Sequence, residues 1–379
     1  MPLRAARKGR YHTPHTRAMI PASTFVAQPF LAVLLGFSSL CPLCSSSANS
    51  VVSFSLLPNP ISLAHLPAIA ATQPPLLPCP HMASTPKPGR NNPPSPAPDA
   101  LLTSRDNRWL KQFRIALRGG LQTDSGSVGV EGLRLVEEAL ESGCQIEAVL
   151  FSESGERHRE KLAHLISRSE MAFPVLKTTD RLFEGIADTE HPQGVAALVI
   201  PRQTQLEDLF ATPRGACSPL IVVLAGVQDP GNVGTILRTA AAFGATGAVT
   251  SATGQSGTAS PFSPKALRAS AGAALHLPLV PGAALGILLT QFKLNGISTI
   301  ATCVHENSSS DPPAAPWELD WCQPIALLVG NEGAGLAEDV VHSADARIQI
   351  PMQRHVESLN AAAAAAVLFY EAFRQRQRK

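Results

Sequence analysis

The chain has 379 residues, 45% of them hydrophobic, with 31 Lys plus Arg against 29 Asp plus Glu. That length and apolar content suffice for two ordinary domains and exclude a wholly disordered chain, while the near-neutral balance excludes a histone-like polycation, so any nucleic-acid surface must be a local patch. Seven cysteines, mostly isolated, make neither a disulfide framework nor a zinc cage and fit a reducing compartment, here the cytoplasm.

Residues 1–100 do not read as part of a fold. The first acidic residue is Asp99, and a group of basic residues, Arg4, Arg7, Lys8, Arg10 and Arg17, opens a background of Pro, Ser, Ala and Leu. Such a composition cannot build a balanced soluble surface and is expected to be a disordered or mis-assigned extension. The apolar run 25–40 follows the basic start as a secretory signal would, but Gln28 and Pro29 interrupt it and no small-residue cleavage site follows. It is too short for a membrane span. A true start at Met82, giving MASTPKPGRNN, is the favoured reading, and the pair Cys41 and Cys44 then has no role. As a redox or metal pair it lacks a second pair and a strand-helix context.

From residue 104 the composition turns globular. The run SRDNRWLKQFRIALRGG spaces Arg105, Arg108, Lys111, Arg114 and Arg118 by three or four residues, which predicts one helix with a basic stripe, either a solvated face or a contact to RNA phosphates. Leu133, Val136 and Leu140 then mark an amphipathic helix stopping at Gly143, with a buried strand over 146–151. A polar helix over 157–167, a strand over 173–176, a short helix over 181–187 and a strand over 194–200 complete a small α/β unit, residues 104–200. Residues 201–218, with two prolines, read as a linker to a second domain, 219–379.

That second domain carries three strand-to-glycine-turn segments. In VVLAGVQDPGNVGTILRTAAAFGA, residues 222–245, an apolar strand turns through Asp229, Pro230 and Gly231 into a helix whose cap is read as Asn232. Val233, Ile236, Leu237, Ala240 and Phe243 form its buried stripe, with Thr235, Arg238 and Thr239 on the other side. PIALLVGNEGAGL, residues 324–336, runs a strand into a turn holding Asn331 and Glu332, and it is neither a P-loop nor a GxGxxG turn. RIQIPMQRHVESLNAAAAAAVLFYEAFRQRQRK gives a strand ending at Pro351 and Met352, a loop, and an alanine-rich helix whose start is marked by Ser358 and Asn360. A glycine turn is usually punctuation, but three on strand ends of one α/β domain point to a ligand site.

Segments 222–245, 324–336 and 347–373 resemble the three ordered motifs of the SpoU (TrmH-type) RNA 2'-O-ribose methyltransferases of the SPOUT superfamily, and SPKALRASAGAALHLPL, residues 263–279, is a further match in the right order. Residues 107–200 resemble that family's substrate-binding domain, an α/β fold of the L30e ribosomal-protein type. The resemblance implies a C-terminal SPOUT domain with a deep trefoil knot, one of the exceptions to the rule against threaded chains. It implies S-adenosylmethionine held largely by backbone around Thr302, Gly330, Ile350 and Leu359, with Pro351, Met352 and Ser358 completing the wall, and no metal. Arg238 matches the arginine held to activate the ribose hydroxyl; Asn232, Glu332, Ser358 and Asn360 match the polar residues that orient it. Because a guanidinium is a poor base, electrostatic stabilisation is the preferred role for Arg238.

Arg105, Arg108, Lys111, Arg114, Lys265 and Arg268 are the expected RNA contacts, the RNA being rRNA (23S type) in preference to tRNA, and family members are homodimers. Gln353 and Arg354 stand where the family often has a small residue, and Ser260 where an acidic one is common, which bears on substrate choice. The rival readings are an RNA-binding or ribosome-associated SPOUT protein without activity, and a small-molecule enzyme using Cys303, His305 and Glu306 as a nucleophile group; a thiol ending an apolar strand is more commonly inert.

Overall fold

The computed structural model describes residues 101–169, 171–210, 218–252, 257–303, 312–353 and 355–377. The readings made on residues 1–100, Cys41, Cys44 and Met82 among them, and on His305, Glu306 and Arg354 lie outside these.

The leading part of the chain runs β1 (Leu101–Leu102), α1 (Arg108–Ala116), β2 (Val128–Glu131), α2 (Leu133–Glu141), β3 (Gln145–Ser152), α3 (Arg159–Arg168), β4 (Val175–Thr178), α4 (Asp180–Glu184) and β5 (Val195–Ile200). The five strands form one mixed sheet, ordered β1-β4-β3-β5-β2, with β5 antiparallel to both β3 and β2. The first helix is shorter than its basic spacing suggests. Asn107 caps it, accepting from the Trp109 N–H at 2.9 Å, so Arg105 lies ahead of the helix, and Arg118 lies beyond its C-cap, Leu117. A cap side chain satisfies an otherwise orphaned N–H and so overrides a charge periodicity that carries no packing energy. Strand β2 has no counterpart in the sequence reading, because VGVEG merges with the helical pattern that follows it.

The second part runs β6 (Leu220–Leu224), α5 (Pro230–Ala242), β7 (Gly247–Ser251), α6 (Pro264–Ser270), α7 (Ala273–His276), β8 (Leu279–Ala283), α8 (Leu285–Leu294), β9 (Ser298–Thr302), β10 (Ile325–Val329), α9 (Glu338–Ser343), β11 (Ala346–Ile348) and α10 (Ala361–Arg376). Its sheet is parallel throughout, ordered β11-β9-β10-β6-β7-β8. Both faces of β6 and β10 are buried, as near-continuous Leu, Ile and Val runs require. From β6 the chain steps outward to β7 and β8, then crosses to the other side of β6 for β9 and β10, so the connection reverses at the β6/β10 pair. Ligands of open parallel sheets sit at such a reversal, beyond the carboxyl ends of the strands. The last strand stops at Ile348, short of Pro351 and Met352: the Gln349 N–H bonds the Ala314 carbonyl at 3.0 Å, and Pro351 has no N–H to extend a ladder. Among the described residues no helix is long and apolar enough to cross a membrane.

One buried apolar cluster is continuous from Val128, Val136 and Val149 of the leading part to Val222, Val233, Ala274 and Leu275 of the second. The short helical turn Leu206–Leu209 adds Leu209, 2% exposed, to a separate cluster under the opposite face of the second sheet. Helices α5 and α6 touch at Gly234, where an added methyl carbon would lie 2.2 Å from the Ala266 carbonyl oxygen and 2.7 Å from the Ala269 side chain. Gly234→Ala is therefore expected to destabilise the protein by about 1–3 kcal/mol through overpacking, read as a lowered melting temperature. An unchanged melting temperature would mean that the two helices can part without cost.

Candidate functional site

The site is built at the carboxyl ends of β6, β9, β10 and β11. The Asp229 side chain caps α5, accepting from the Gly231 N–H at 3.1 Å, and Pro230 occupies the first helical position, where its missing N–H costs nothing. The cap is therefore Asp229 and not Asn232, which leaves the Asn232 amide free to act across the site. Its Nδ2 donates to Glu332 Oε1 at 3.0 Å, and its Oδ1 accepts from Asn360 Nδ2 at 3.0 Å. Asn360 in turn caps α10, accepting from the Ala362 and Ala363 N–H groups at 2.9 and 3.3 Å. Three distant segments are thus joined by one line of hydrogen bonds.

The turn after β10 is held just as tightly. Asn331 Oδ1 accepts from the Gly333 and Ala334 N–H groups at 2.9 and 3.0 Å, while its Nδ2 donates to the Gly226 carbonyl at 2.8 Å, tying the β10 turn to the β6 turn. Gly330 is required there by close approach, since an added methyl carbon would sit 2.4 Å from the Gly335 carbonyl carbon. Burial pushes the Glu332 carboxyl up, but hydrogen bonds from Asn232 and from the N–H groups of Glu332 itself, Gln228 and Asp229 outweigh it and hold the group below its ordinary value. The hydrogen bond from Lys265, at 2.6 Å, with that of the Gly231 N–H, lowers Asp229 likewise. Both are carboxylates at neutral pH.

Beside this line lies a cavity of about 420 Å³. Of the residues expected to hold a cofactor, Thr302, Gly330, Ile350, Met352, Ser358 and Leu359 line it; Pro351 is exposed and does not. Thr302 Oγ1 is spent on the Leu328 carbonyl at 3.0 Å, so Thr302 offers the cavity its main chain. Of the residues expected to act on substrate, Glu332 and Ser358 line the cavity and Asn232 and Asn360 stand beside it. Arg238 does not line it: it is exposed on α5 and, among the described residues, has no partner. Cys303 also lines the cavity, with its thiol pushed up by burial, the Arg347 charge opposing only in part. A thiol held protonated is a poor nucleophile.

The expected RNA contacts are dispersed. Arg105 and Arg108 are exposed, Arg108 lying over the Trp109 ring at 5.2 Å; Lys111 pairs with Asp106 at 3.1 Å, and Arg114 is half-buried. Lys265 is committed to Asp229, and Arg268 is not a free cation, its guanidinium lying 2.7 Å from Asp188 of the leading part. The sequence reading missed the Asp229–Lys265 pair and Glu357, a carboxylate on the cavity wall. The signal for the first was the Asp-Pro-Gly order, the signature of a capped helix start.

A parallel sheet with its cavity at a chain reversal, joined to a mixed-sheet leading unit, defines a two-part α/β architecture. The SpoU rRNA methylase family profile matches residues 219–370, and the MRM3-like substrate binding domain profile matches residues 123–197. The chain is 34% identical to an uncharacterized tRNA/rRNA methyltransferase of Synechocystis over 73% of this chain and 94% of that one. It is 30% identical to the 23S rRNA (guanosine(2553)-2'-O)-methyltransferase RlmP of Bacillus subtilis over 71% and 97%. The structure of an AdoMet-bound rRNA methyltransferase from Sinorhizobium meliloti superposes with a TM-score of 0.59 at 28% identity, covering 73% of this chain and 97% of that one. The chain belongs to the SpoU family of RNA methyltransferases.

Because Glu332 is held below its ordinary value, it stabilises the fold above that value and the stabilisation is lost as pH falls through the lowered one. Glu332→Gln should therefore show a shallower acid decline of stability than the wild-type chain, measured by urea unfolding at a series of acidic pH values. Parallel declines would remove the site's acid dependence from Glu332.

Proposed function

We propose that this chain transfers the methyl group of S-adenosylmethionine to a ribose 2'-hydroxyl of a structured RNA, rRNA of the 23S type in preference to tRNA. The observation that carries this is the Asn360–Asn232–Glu332 line standing at the edge of a cavity whose wall fits the methyl donor. Val329, Leu336, Ile350 and Leu368 give apolar surface for a flat purine, and the charged side chains among the described lining residues, Glu332 and Glu357, are both acidic, as suits a cation. The volume lies within the usual range of small-molecule sites, about 300–1,000 Å³.

Main-chain groups around Thr302, Gly330, Ile350 and Leu359, with Met352 and Ser358, would hold the donor, and Pro351 would shape the loop. When bound, S-adenosylmethionine supplies a methyl group already activated on a sulfonium. Asn232, Glu332, Ser358 and Asn360 orient the ribose hydroxyl for in-line approach, which by itself removes much of the entropic barrier. As the hydroxyl oxygen bonds to the methyl carbon, the carbon–sulfur bond would break and the donor would leave as a neutral thioether, with the hydroxyl proton passing to water; Arg238 stabilises the negative charge on the oxygen as that proton leaves, or holds the adjacent phosphate.

In this reading residues 104–200 form an L30e-like RNA-binding domain, 201–218 a linker and 219–379 a SPOUT domain whose last segments thread a trefoil knot, in a cytoplasmic protein. Arg105, Arg108, Lys111 and Arg114 contact RNA phosphates. The protein acts as a homodimer: Val367 and Tyr370 of α10 are 45% and 56% exposed, and Tyr370 meets Phe243, the residue that follows α5, edge-on at 5.8 Å, an apolar patch suited to a second copy.

The test is transfer of labelled methyl from S-adenosylmethionine to total RNA lacking its own ribose methylation, with the modified nucleotide then mapped. The chain should label one resolved RNA, and Arg238→Ala should lower the rate about 10²–10³-fold, as loss of an oxyanion donor does. Cofactor binding without transfer to any RNA would leave an RNA-binding protein instead.

A further inference from the structure

Glu131 is a buried carboxylate to which the proposed reaction gives no task. It ends β2, is 6% exposed, and accepts from the Asp188 backbone N–H at 2.8 Å and from the Thr189 hydroxyl. A carboxylate taken out of water needs such donors, so the turn that supplies them is held to β2. The same turn is pinned a second time: Gln193 Oε1 accepts from the Leu133 N–H at 2.8 Å, at a helix start whose own cap, Gly132, has no side chain to offer.

From this turn Asp188 reaches out of the leading unit. Its Oδ2 lies 2.7 Å from Arg268 Nη2 on α6, a pair whose side chains are each about one-third exposed. Glu131 takes the Asp188 N–H while Arg268 takes the Asp188 carboxylate, so the first bond sets the direction of the second. Helix α6 lies against α5 at Gly234 with no room to slide, and Lys265, one turn before Arg268, is paired with Asp229 at the head of α5. A run of directional contacts therefore leads from β2 to the turn that carries Asn232 and receives Glu332.

We propose that Glu131, acting through Asp188 and Arg268, is a positioning residue that fixes the register between the RNA-binding unit and the methyl-transfer site; the inference rests on the methyltransferase reading above. The apolar cluster shared by the two units already docks them, but apolar contact has no direction and tolerates small displacements. A structured RNA held by one unit and methylated in the other does not, since a misplacement of about 1 Å costs about 100-fold in rate. The clasp supplies the missing direction. It also accounts for an arginine in the last turn of α6 that is paired with the neighbouring unit.

The experiment uses the full chain and its structured RNA substrate, with E131Q, R268Q, R268K and the E131Q/R268Q double variant. E131Q and R268Q should each lower kcat/KM for RNA by about tenfold or more, with S-adenosylmethionine affinity unchanged within about twofold. The double variant should be no worse than either single one, because both break one path. R268K should recover part of the loss, and the salt dependence of RNA binding should keep its slope in R268Q, whereas loss of a phosphate contact would reduce it. Additive losses, a reduced salt slope, a matching fall in cofactor affinity, or wild-type rates in both single variants would each overturn the proposal. If E131Q does not fold, R268Q and R268K decide the matter alone. Failure of the wild-type chain to methylate any RNA overturns the methyltransferase reading itself, a result separate from wild-type rates in the variants.

Discussion

The arrangement of this site depends on the Asn232 side-chain amide, and its polarity can be followed atom by atom. Asn360 must turn its oxygen toward the first N–H groups of α10, because only an acceptor caps a helix start. That leaves its nitrogen facing Asn232, which must present oxygen, and so the Asn232 nitrogen faces Glu332, an acceptor when ionised. The line has one direction and no choice at any member. An aspartate at 232 would oppose Glu332 with a like charge, and an alanine would take the acceptor from Asn360 Nδ2 and one of its donors from Glu332. The primary amide donates and accepts at once, which the position demands.

The line can form only because the sheet delivers its three parts to one edge. In the parallel register Leu224 stands opposite Val329 and Thr302 opposite Ile348, so the chain leaves β6, β9, β10 and β11 on the same side. The segments between these strands can vary in length without disturbing that edge. Asn331, bonded across to Gly226, then binds the two central turns into a single wall. The cavity is the space left between this wall and the loop that leads to α10.

Much of this was legible in the sequence, and the reasons for the rest are local. The buried runs of β6 and β10 and the amphipathic stripe of α5 are periodic and long enough to read directly, and the motif order marked Asn232, Glu332 and Asn360 together. The cap of α5 was misplaced because Asp229 and Asn232 are equally good caps by residue type; what separates them is Pro230, which fits the first helical position and so assigns the cap to the residue before it. Arg105 was placed on a helix because charge spacing alone is a weak signal beside a capping asparagine. The destination of Arg268 was not legible at all: an arginine on a short amphipathic helix reads the same whether it meets solvent, RNA or a carboxylate on another domain. Only the fold brings Asp188 to it.

The position of Arg238 follows from helix geometry. It stands six residues beyond Asn232 on α5, which turns it by about 120° and carries it about 9 Å along the axis. The two side chains therefore cannot address the same point from one helix, and in the structure Asn232 stays with Glu332 and Asn360 while Arg238 faces outward. A role for both in one reaction then requires a substrate broad enough to reach across α5, or a second copy of the chain placing its own α5 over this cavity.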